Sequence, residues 1–378
     1  MQKDGTILFS EYADQVADTD VLDAAELNPV LLGLYGEVGG IMSTAKKHVR
    51  ESDAYPGFRK AAEEEFGDTL WYFAAVCRRL RIPLEEIFSE AAKHGDYKSV
   101  IAASDVAKGA VANIVIPAAA STSLDAMLLQ LGRSAAALLV DVPARPDLVA
   151  FAKAYMDALC TAQLAFSEVA RLNVRKARGA FIEPVRQDLI DLDFDRGFGI
   201  EEQLPPTFSI RINQRQTGKC YLQWNGVFIG DPLTDNIADE DGYRFHDVFH
   251  LSYAAILHWS PVVRALIKHK RKSKEKFDEE QDSGRAIVVE EGLTAWIFSR
   301  AKELKYFENQ RKVSFGLLKT IEEFVSGYEV ERCPLKLWEK AILEGYSVFR
   351  QLKENKGGWI IGDRNNRTIM YKPLEPEK

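Results

Sequence analysis

Two stretches near the N-terminus decide the fold: LLGLYGEVGGIM (Leu31–Met42) and AEEEFGDTLWYFAAV (Ala62–Val76). In both, apolar residues recur every three or four positions, which is the period of an α-helix with one buried face. Asn28-Pro29 precedes the first stretch and is typical of a helix start, because Asn caps a helix and Pro fits its first turn. We therefore predict two long helices, the second over residues 58–80, packed as an antiparallel pair.

These helices carry carboxylates at positions that suit a metal ion. Glu65 and Asp68 are three residues apart, so both lie on one face of the second helix. Glu37 lies on the first helix among apolar residues, an unusual setting for a solvated acid. Oxygen ligands from two facing helices predict a Mg²⁺ or Mn²⁺ site. The alternative is a solvated helix face, where acids with this spacing are also frequent.

A later segment repeats the pattern in outline. MLLQLGRSAAALL (Met127–Leu139) resembles the first stretch, and FAKAYMDALCTAQLAF (Phe151–Phe166) resembles the second. Repetition at this length suggests a fused pair of one helical unit. At the positions of Glu37, Glu65 and Asp68, the later segment has, in that order, Arg133, Ala154 and Asp157. The acidic site is therefore expected in the first copy.

The acidic motifs resemble those of the MazG-like, all-α nucleoside triphosphate pyrophosphohydrolases, which carry E-x-x-E on one helix and E-x-x-D on the next. GEVGGIM supplies Glu37 for the first acid, and EEEFGDTLWYF supplies Glu65 and Asp68 for the last two. Gly40 stands in place of the second acid, a departure that should weaken metal binding or prevent a second metal from binding. The resemblance implies a helical bundle in which Glu37, Glu65 and Asp68 hold Mg²⁺ and serve catalysis. It also implies cleavage of a nucleoside triphosphate to monophosphate and pyrophosphate.

The resemblance further implies contacts to the substrate. The family tends to place Asn and basic residues near the phosphates at the end of its last helix. The matching candidates are Lys98 in the first copy and Asn173, Lys176 and Arg178 in the second. Trp71 is a candidate platform for the base, with a core position as the alternative. We therefore expect a pseudo-dimer in one chain, in which copy one holds metal and copy two supplies helices and cations.

After Pro184 the pattern changes. FSIRINQR, KCYLQWNGVFIG and GWIIGDRNNRTIMYKPL alternate β-branched or aromatic residues with polar ones and contain turn residues, which predicts strands. Helical patterns lie between them. The predicted fold class is mainly α, with an N-terminal all-α bundle and an α+β C-terminal domain. The expected domains are 1–116, 117–189 and 190–378. The charged run at 268–282 is interpreted as a solvated loop, with a lid over an anionic ligand as the alternative.

The C-terminal domain contains a second candidate metal site. His246 and His250, in HDVFH, are four residues apart on a predicted helix and therefore share a face. Glu290 and Glu291 follow on another helix. Two histidines and a carboxylate suit Zn²⁺ or Mn²⁺. Asp247 stands where zinc peptidases have a glutamate. The alternatives are a buried His–Glu network and a ligand-binding role without metal.

Composition restricts the partners. The 378-residue chain has a formal net charge of −7, which argues against binding to duplex nucleic acid. No apolar run is long enough to cross a membrane, and the four cysteines are far apart, so we expect reduced, buried thiols in a cytoplasmic protein. A nucleoside triphosphate is the expected partner, and a homodimer is compatible with the sequence.

Three functions are compatible with these features. The first is a Mg²⁺-dependent pyrophosphohydrolase that cleans the nucleotide pool or depletes nucleotides under stress or phage infection. The second is a nucleotide-sensing module with a degenerate site, which Gly40 and the altered second copy favour. The third is a metallohydrolase centred on the C-terminal His/Glu cluster.

Overall fold

The computed structural model describes residues 7–55, 57–93, 110–111 and 123–375. The chain divides into two compact units, Met1–Ile182 and Glu183–Lys378. The described part of the first unit is helical apart from a short strand pair, whereas the second combines helices with a five-stranded sheet. These observations confirm the predicted fold class.

The described residues of the first unit form helices α1 (Phe9–Thr19), α2 (Asn28–Glu51), α3 (Phe58–Arg79), α4 (Leu84–Lys93), α5 (Leu124–Ala137), α6 (Arg145–Thr161) and α7 (Phe166–Phe181). Strand β1 (Ile7–Leu8) pairs antiparallel with β2 (Ala110–Val111). A short 3₁₀ turn joins α2 to α3, so these helices form the predicted hairpin. Helix α2 begins at Asn28 with Pro29 in its first turn, as predicted, but Leu27 occupies the N-cap position without a side-chain hydrogen bond, so the capping role predicted for Asn28 was wrong.

The two hairpins, α2–α3 and α5–α6, share one hydrophobic core. The Phe73 and Phe151 ring centroids are 4.7 Å apart, and those of Phe66 and Tyr155 are 5.6 Å apart. The Tyr155 hydroxyl also donates a 2.9 Å hydrogen bond to the carbonyl oxygen of Phe66. Each of these contacts joins the first repeated segment to the second. The repeats therefore form one bundle, and α7 packs against α3 within it.

The second unit contains helices α8 (Arg186–Leu189), α9 (Asp247–Ile256), α10 (Pro261–Ile267), α11 (Glu275–Glu280), α12 (Gly284–Ala301), α13 (Phe315–Phe324) and α14 (Leu335–Asn355). Its strands are β3 (Thr207–Gln214), β4 (Cys220–Trp224), β5 (Val227–Leu233), β6 (Gly357–Asp363) and β7 (Thr368–Lys372). All neighbouring strands are antiparallel, in the order β5-β4-β3-β6-β7. The strands lie where the sequence predicted them.

One face of this sheet is buried under helices. In β3, the side chains of Phe208, Ile210 and Ile212 are buried and alternate with more exposed ones, as expected for a sheet with one covered face. Helices α9 and α14 pack on β6 and β7. All ten residues of α9 are buried, so the sheet and its covering helices fix the helix that carries His250.

The charged run at 268–282 differs from the expected solvated loop. Arg271 and Asp282 are each 0% exposed. The Arg271 guanidinium contacts Asp282 Oδ1 at 2.7 Å and Glu329 Oε1 at 2.6 Å. It also lies 5.1 Å from the ring centroid of Phe277. The solvated-loop interpretation was therefore wrong at this position, because a paired guanidinium can be buried where an isolated one cannot.

Two expectations from composition can be compared with the described residues. None of their helices is both long enough and apolar enough to cross a membrane. The four cysteines are free and buried. Burial raises the pKa of the Cys77 and Cys333 thiols to about 12, so these two side chains are protonated and unreactive at neutral pH.

Candidate functional site

The acidic site is built around the contact of α2 with α3. A Cβ atom added at Gly40 would lie 2.1 Å from Glu65 Oε2 and 2.9 Å from its Cδ. The Glu65 carboxylate therefore fills the space that a side chain at position 40 would need. This contact brings Glu65 to within about one helical turn of Glu37, which precedes Gly40 by three residues on α2.

Tyr72 links the remaining acids to the same region. Burial raises its pKa, and the charges of Glu37 and Asp68 raise it further. The charge of Asp20 contributes as well. Glu37 from α2 and Asp68 from α3 therefore both lie within electrostatic range of Tyr72. Side chains of Glu37, Glu65 and Asp68 are all partly exposed, so solvent reaches the acids.

Helix α7 brings two predicted substrate-binding residues to Asp68. Asn173 Nδ2 donates to Asp68 Oδ1 at 3.0 Å, and Lys176 Nζ lies 2.5 Å from Asp68 Oδ2 and 2.5 Å from Glu64 Oε1. Burial would lower the pKa of Lys176, but Asp68 and Glu64 outweigh it and raise that pKa. The ammonium group is therefore held in its charged form beside the acids.

Tyr12 on α1 completes this network and was missed by the sequence analysis. Its hydroxyl donates to Asn173 Oδ1 at 2.8 Å, which orients the amide so that its nitrogen faces Asp68. Burial raises the pKa of Tyr12 well above its usual value, with further contributions from Tyr155 and Asp68, so the phenol remains a donor. No local motif marks this tyrosine, because its partner lies 161 residues away.

The other sequence candidates lie elsewhere or have other partners. Arg178 Nη1 donates to Gln15 Oε1 at 2.8 Å, so it contacts a residue of α1 rather than one of the acids. Trp71 Nε1 donates to Thr19 Oγ1 at 2.9 Å, and the ring is partly buried. Lys98 lies outside the described residues. In the second copy, Arg133 is exposed, and Asp157 pairs with Lys153 at 2.8 Å.

The histidine cluster lies at the start of α9, facing α12. His250 is 0% exposed, and its Nδ1 lies 2.8 Å from Glu290 Oε1. Glu290 also accepts hydrogen bonds from Ser260 Oγ at 2.6 Å and from the Val262 backbone N–H at 2.9 Å. A carboxylate with these donors is an acceptor, so His250 Nδ1 carries the proton. His250 Nε2 is buried and has no hydrogen-bond partner among the described residues.

His246 is oriented in the same way. Its Nδ1 lies 2.9 Å from the Tyr243 carbonyl oxygen, which can only accept, so Nδ1 is the donor. Glu291 Oε2 lies 3.7 Å from His246 Nε2 and 3.4 Å from His250 Nε2. Possible ligand atoms of His246, Asp247 and His250 all lie within 4.8 Å of one another. Four groups that can bind metal therefore converge.

The carboxylates of this cluster favour positive charge on His250. Burial alone would lower the pKa of His250, but Glu290 and Glu291 outweigh it and raise that pKa to about 10. Burial would raise the pKa of Glu291, but the two neighbouring histidines lower it well below its usual value. The carboxylates therefore stabilise a positively charged group, such as protonated His250, in this pocket.

These features define a class: a two-domain protein with an acidic site in a helical bundle and a His/carboxylate cluster in an α+β domain. Residues 190–375 match the family model described as the MazG C-terminal domain. The second domain thus matches that family, which is consistent with a MazG-like protein that carries this C-terminal domain, as the resemblance predicted. No curated protein and no solved structure matches the chain.

Proposed function

We propose that the helical unit is a Mg²⁺-dependent pyrophosphohydrolase, with Mn²⁺ as an alternative ion, that converts a nucleoside triphosphate to its monophosphate and pyrophosphate. One observation carries this proposal: Asn173 and Lys176, from the second repeated segment, meet Asp68 from the first. Carboxylates that can bind a metal ion thus lie beside the Lys176 ammonium group, which can bind phosphate. The family of the C-terminal domain supports a MazG-related role.

The acids fit a magnesium ion. Glu37, Glu65 and Asp68 offer only carboxylate oxygens, the hard ligands that Mg²⁺ prefers. The space above Gly40 is filled by Glu65 Oε2, so the glycine gives room to an acid from the facing helix instead of supplying its own. When bound, the ion would supply Lewis-acid stabilisation of the phosphate oxygens and an activated water.

The chain's own groups bind and orient the substrate. Lys176, charged and one-fifth exposed (21%), lies beside Asp68, where it can neutralise phosphate oxygens of the substrate. Asn173 holds Asp68, and Tyr12 holds Asn173, so the carboxylate keeps one orientation through a buried chain of hydrogen bonds. Lys176, together with a cation held by this carboxylate, would stabilise the negative charge that develops on the leaving pyrophosphate without further rearrangement.

The test is pyrophosphate release from a panel of NTPs and dNTPs with Mg²⁺ or Mn²⁺. Glu65→Gln should lower kcat/KM by at least about 10²-fold, the typical cost of losing a group that stabilises transition-state charge. Glu63→Gln is the matched control: Glu63 lies on the same helix and pairs with the exposed Arg59, at 3.1 Å. It should retain full activity.

Two results would count against the proposal. Equal activity of the Glu65→Gln and Glu63→Gln proteins would place the chemistry elsewhere. The absence of pyrophosphate release by the folded wild-type protein with every nucleotide would favour the sensor. In that case nucleotide binding, measured by calorimetry, should persist in wild type and weaken in Lys176→Gln.

A further inference from the structure

The C-terminal cluster has the arrangement of a metal site rather than of a salt-bridge network. In a saturated network each polar atom has a hydrogen-bond partner, yet His250 Nε2 is fully buried without one among the described residues. The nearest carboxylate oxygen, Glu291 Oε2, is 3.4 Å away, and it lies 3.7 Å from His246 Nε2. Both separations are long for charge-assisted hydrogen bonds.

These same separations suit atoms that share a metal ion. Ligands bound tetrahedrally at ~2.0–2.1 Å from zinc lie about 3.4 Å from one another. Both histidines use Nδ1 for a hydrogen bond, His246 to a backbone carbonyl and His250 to Glu290. In its neutral form, each ring therefore presents the lone pair of Nε2 to the cluster. A metal-bound histidine almost always has this kind of outer partner, which sets its tautomer and ring orientation.

We propose that the C-terminal domain binds one divalent transition-metal ion, best matched by Zn²⁺, through Nε2 of His246 and His250 and the carboxylates of Asp247 and Glu291. Glu290 is a positioning residue. Its two oxygens already accept from His250, Ser260 and Val262, so it holds the histidine instead of binding the ion. The ligand set proposed here therefore differs from the one predicted from the sequence: Glu290 is left out and Asp247 is added.

The ligand set distinguishes this site from the acidic site of the helical unit. Two imidazoles favour Zn²⁺ and its neighbours, whereas Mg²⁺ prefers oxygen ligands alone. Access is limited to one side: the side chain of His250 is 0% exposed, that of His246 is 10% exposed and that of Glu291 is 41% exposed. Water therefore reaches the ion beside Glu291, where a ligand can exchange.

The experiment is calorimetric titration of the chelator-treated, full-length protein with Zn²⁺ in excess Mg²⁺, which occupies the acidic site. We expect one Zn²⁺ per chain and, with Co²⁺ as the probe, the intense visible absorption of a four-coordinate site. His250→Ala should abolish this binding. Glu290→Gln should weaken it by about 10- to 100-fold, the usual effect of losing an outer partner.

Two further variants keep the test decisive. Glu291 is half-exposed, so Glu291→Gln should fold even if His250→Ala does not, and it should weaken Zn²⁺ binding at least tenfold. Glu65→Gln, in the other unit, should bind Zn²⁺ as wild type does. Failure of the wild-type protein to bind Zn²⁺, or unchanged affinity in Glu291→Gln, would overturn the proposal. Neither result depends on whether the helical unit hydrolyses nucleotides.

Discussion

Replacing Gly40 with alanine should damage the acidic site and leave the fold intact. The added methyl carbon would lie 2.1 Å from Glu65 Oε2, whereas such atoms normally approach to about 3.5 Å. The carboxylate must therefore retreat by more than ~1 Å. Because a displacement of ~1 Å in a catalytic site can cost on the order of 10²-fold in rate, kcat/KM for the triphosphate should fall by about that factor.

The stability of the variant should not fall in parallel. The group that must move is the end of a flexible, partly exposed side chain, so the two helices can keep their packing. Alanine also favours a helix over glycine by ~1 kcal/mol. Gly39→Ala is the matched control, since a Cβ atom at Gly39 would meet no atom within 4 Å. It gains the same helix propensity without touching an acid.

The assay is pyrophosphate release against substrate concentration at saturating Mg²⁺, with thermal unfolding followed by circular dichroism. We expect a large loss of activity in Gly40→Ala alone and no fall in Tm for either variant. Equal activity of the two variants would refute the reasoning, because the contact with Glu65 is the difference between them. If that equal activity were lower than the wild-type activity, the backbone freedom of the two glycines would be the cause.

Two further predictions concern stability in the C-terminal unit. Asp282→Asn leaves the buried Arg271 guanidinium without its bidentate partner and should cost about 3–5 kcal/mol of unfolding free energy; denaturant titration at pH 7 measures this, and the exposed Glu279→Gln should change it little. Asp235 is buried against Arg244 at 2.6 Å, and although burial raises its pKa, hydrogen bonds from Arg244 and the backbone lower that pKa from 3.8 to about 2. Because the folded-state pKa is depressed, its stabilisation of about 2 kcal/mol is present above pH ~4 and lost as the pH falls toward 2. Asp235→Asn should therefore be less stable than wild type at pH 7 and approach it near pH 2; a difference that stays constant with pH would contradict this.

Local periodicity predicted much of the fold. The spacing of apolar residues around Glu37 and Asp68 was sufficient to place α2 and α3, because a helix buries one face at a fixed period. The strands of the second unit followed from their alternating pattern. The four-residue separation of His246 and His250 also correctly predicted that their side chains lie on the same side of the helix. These features depend on residues close together in sequence, where backbone geometry is nearly fixed.

What the sequence could not show depends on residues far apart. The role of Gly40 is set by Glu65 on another helix. The position of Gly40 in the sequence motif indicated only that an acid is missing there. It could not show that the carboxylate of Glu65 fills the space. Tyr12 reaches its partner across 161 positions. Arg271 lies in a charged run whose composition is typical of a solvated loop, but its burial depends on Glu329, 58 residues later. Such partners become visible only when the chain is folded.

The hydrogen bonds that join Asp68 to α7 span 105 and 108 positions of a single polypeptide. Were the two halves separate subunits, their encounter would follow mass action, and dilution would progressively separate the lysine from the carboxylate. A covalent tether replaces that encounter with an intramolecular one, whose effective concentration is set by the connecting segment. The contact therefore survives at any protein concentration at which the chain stays folded, and a cell needs only one copy of the molecule to complete it.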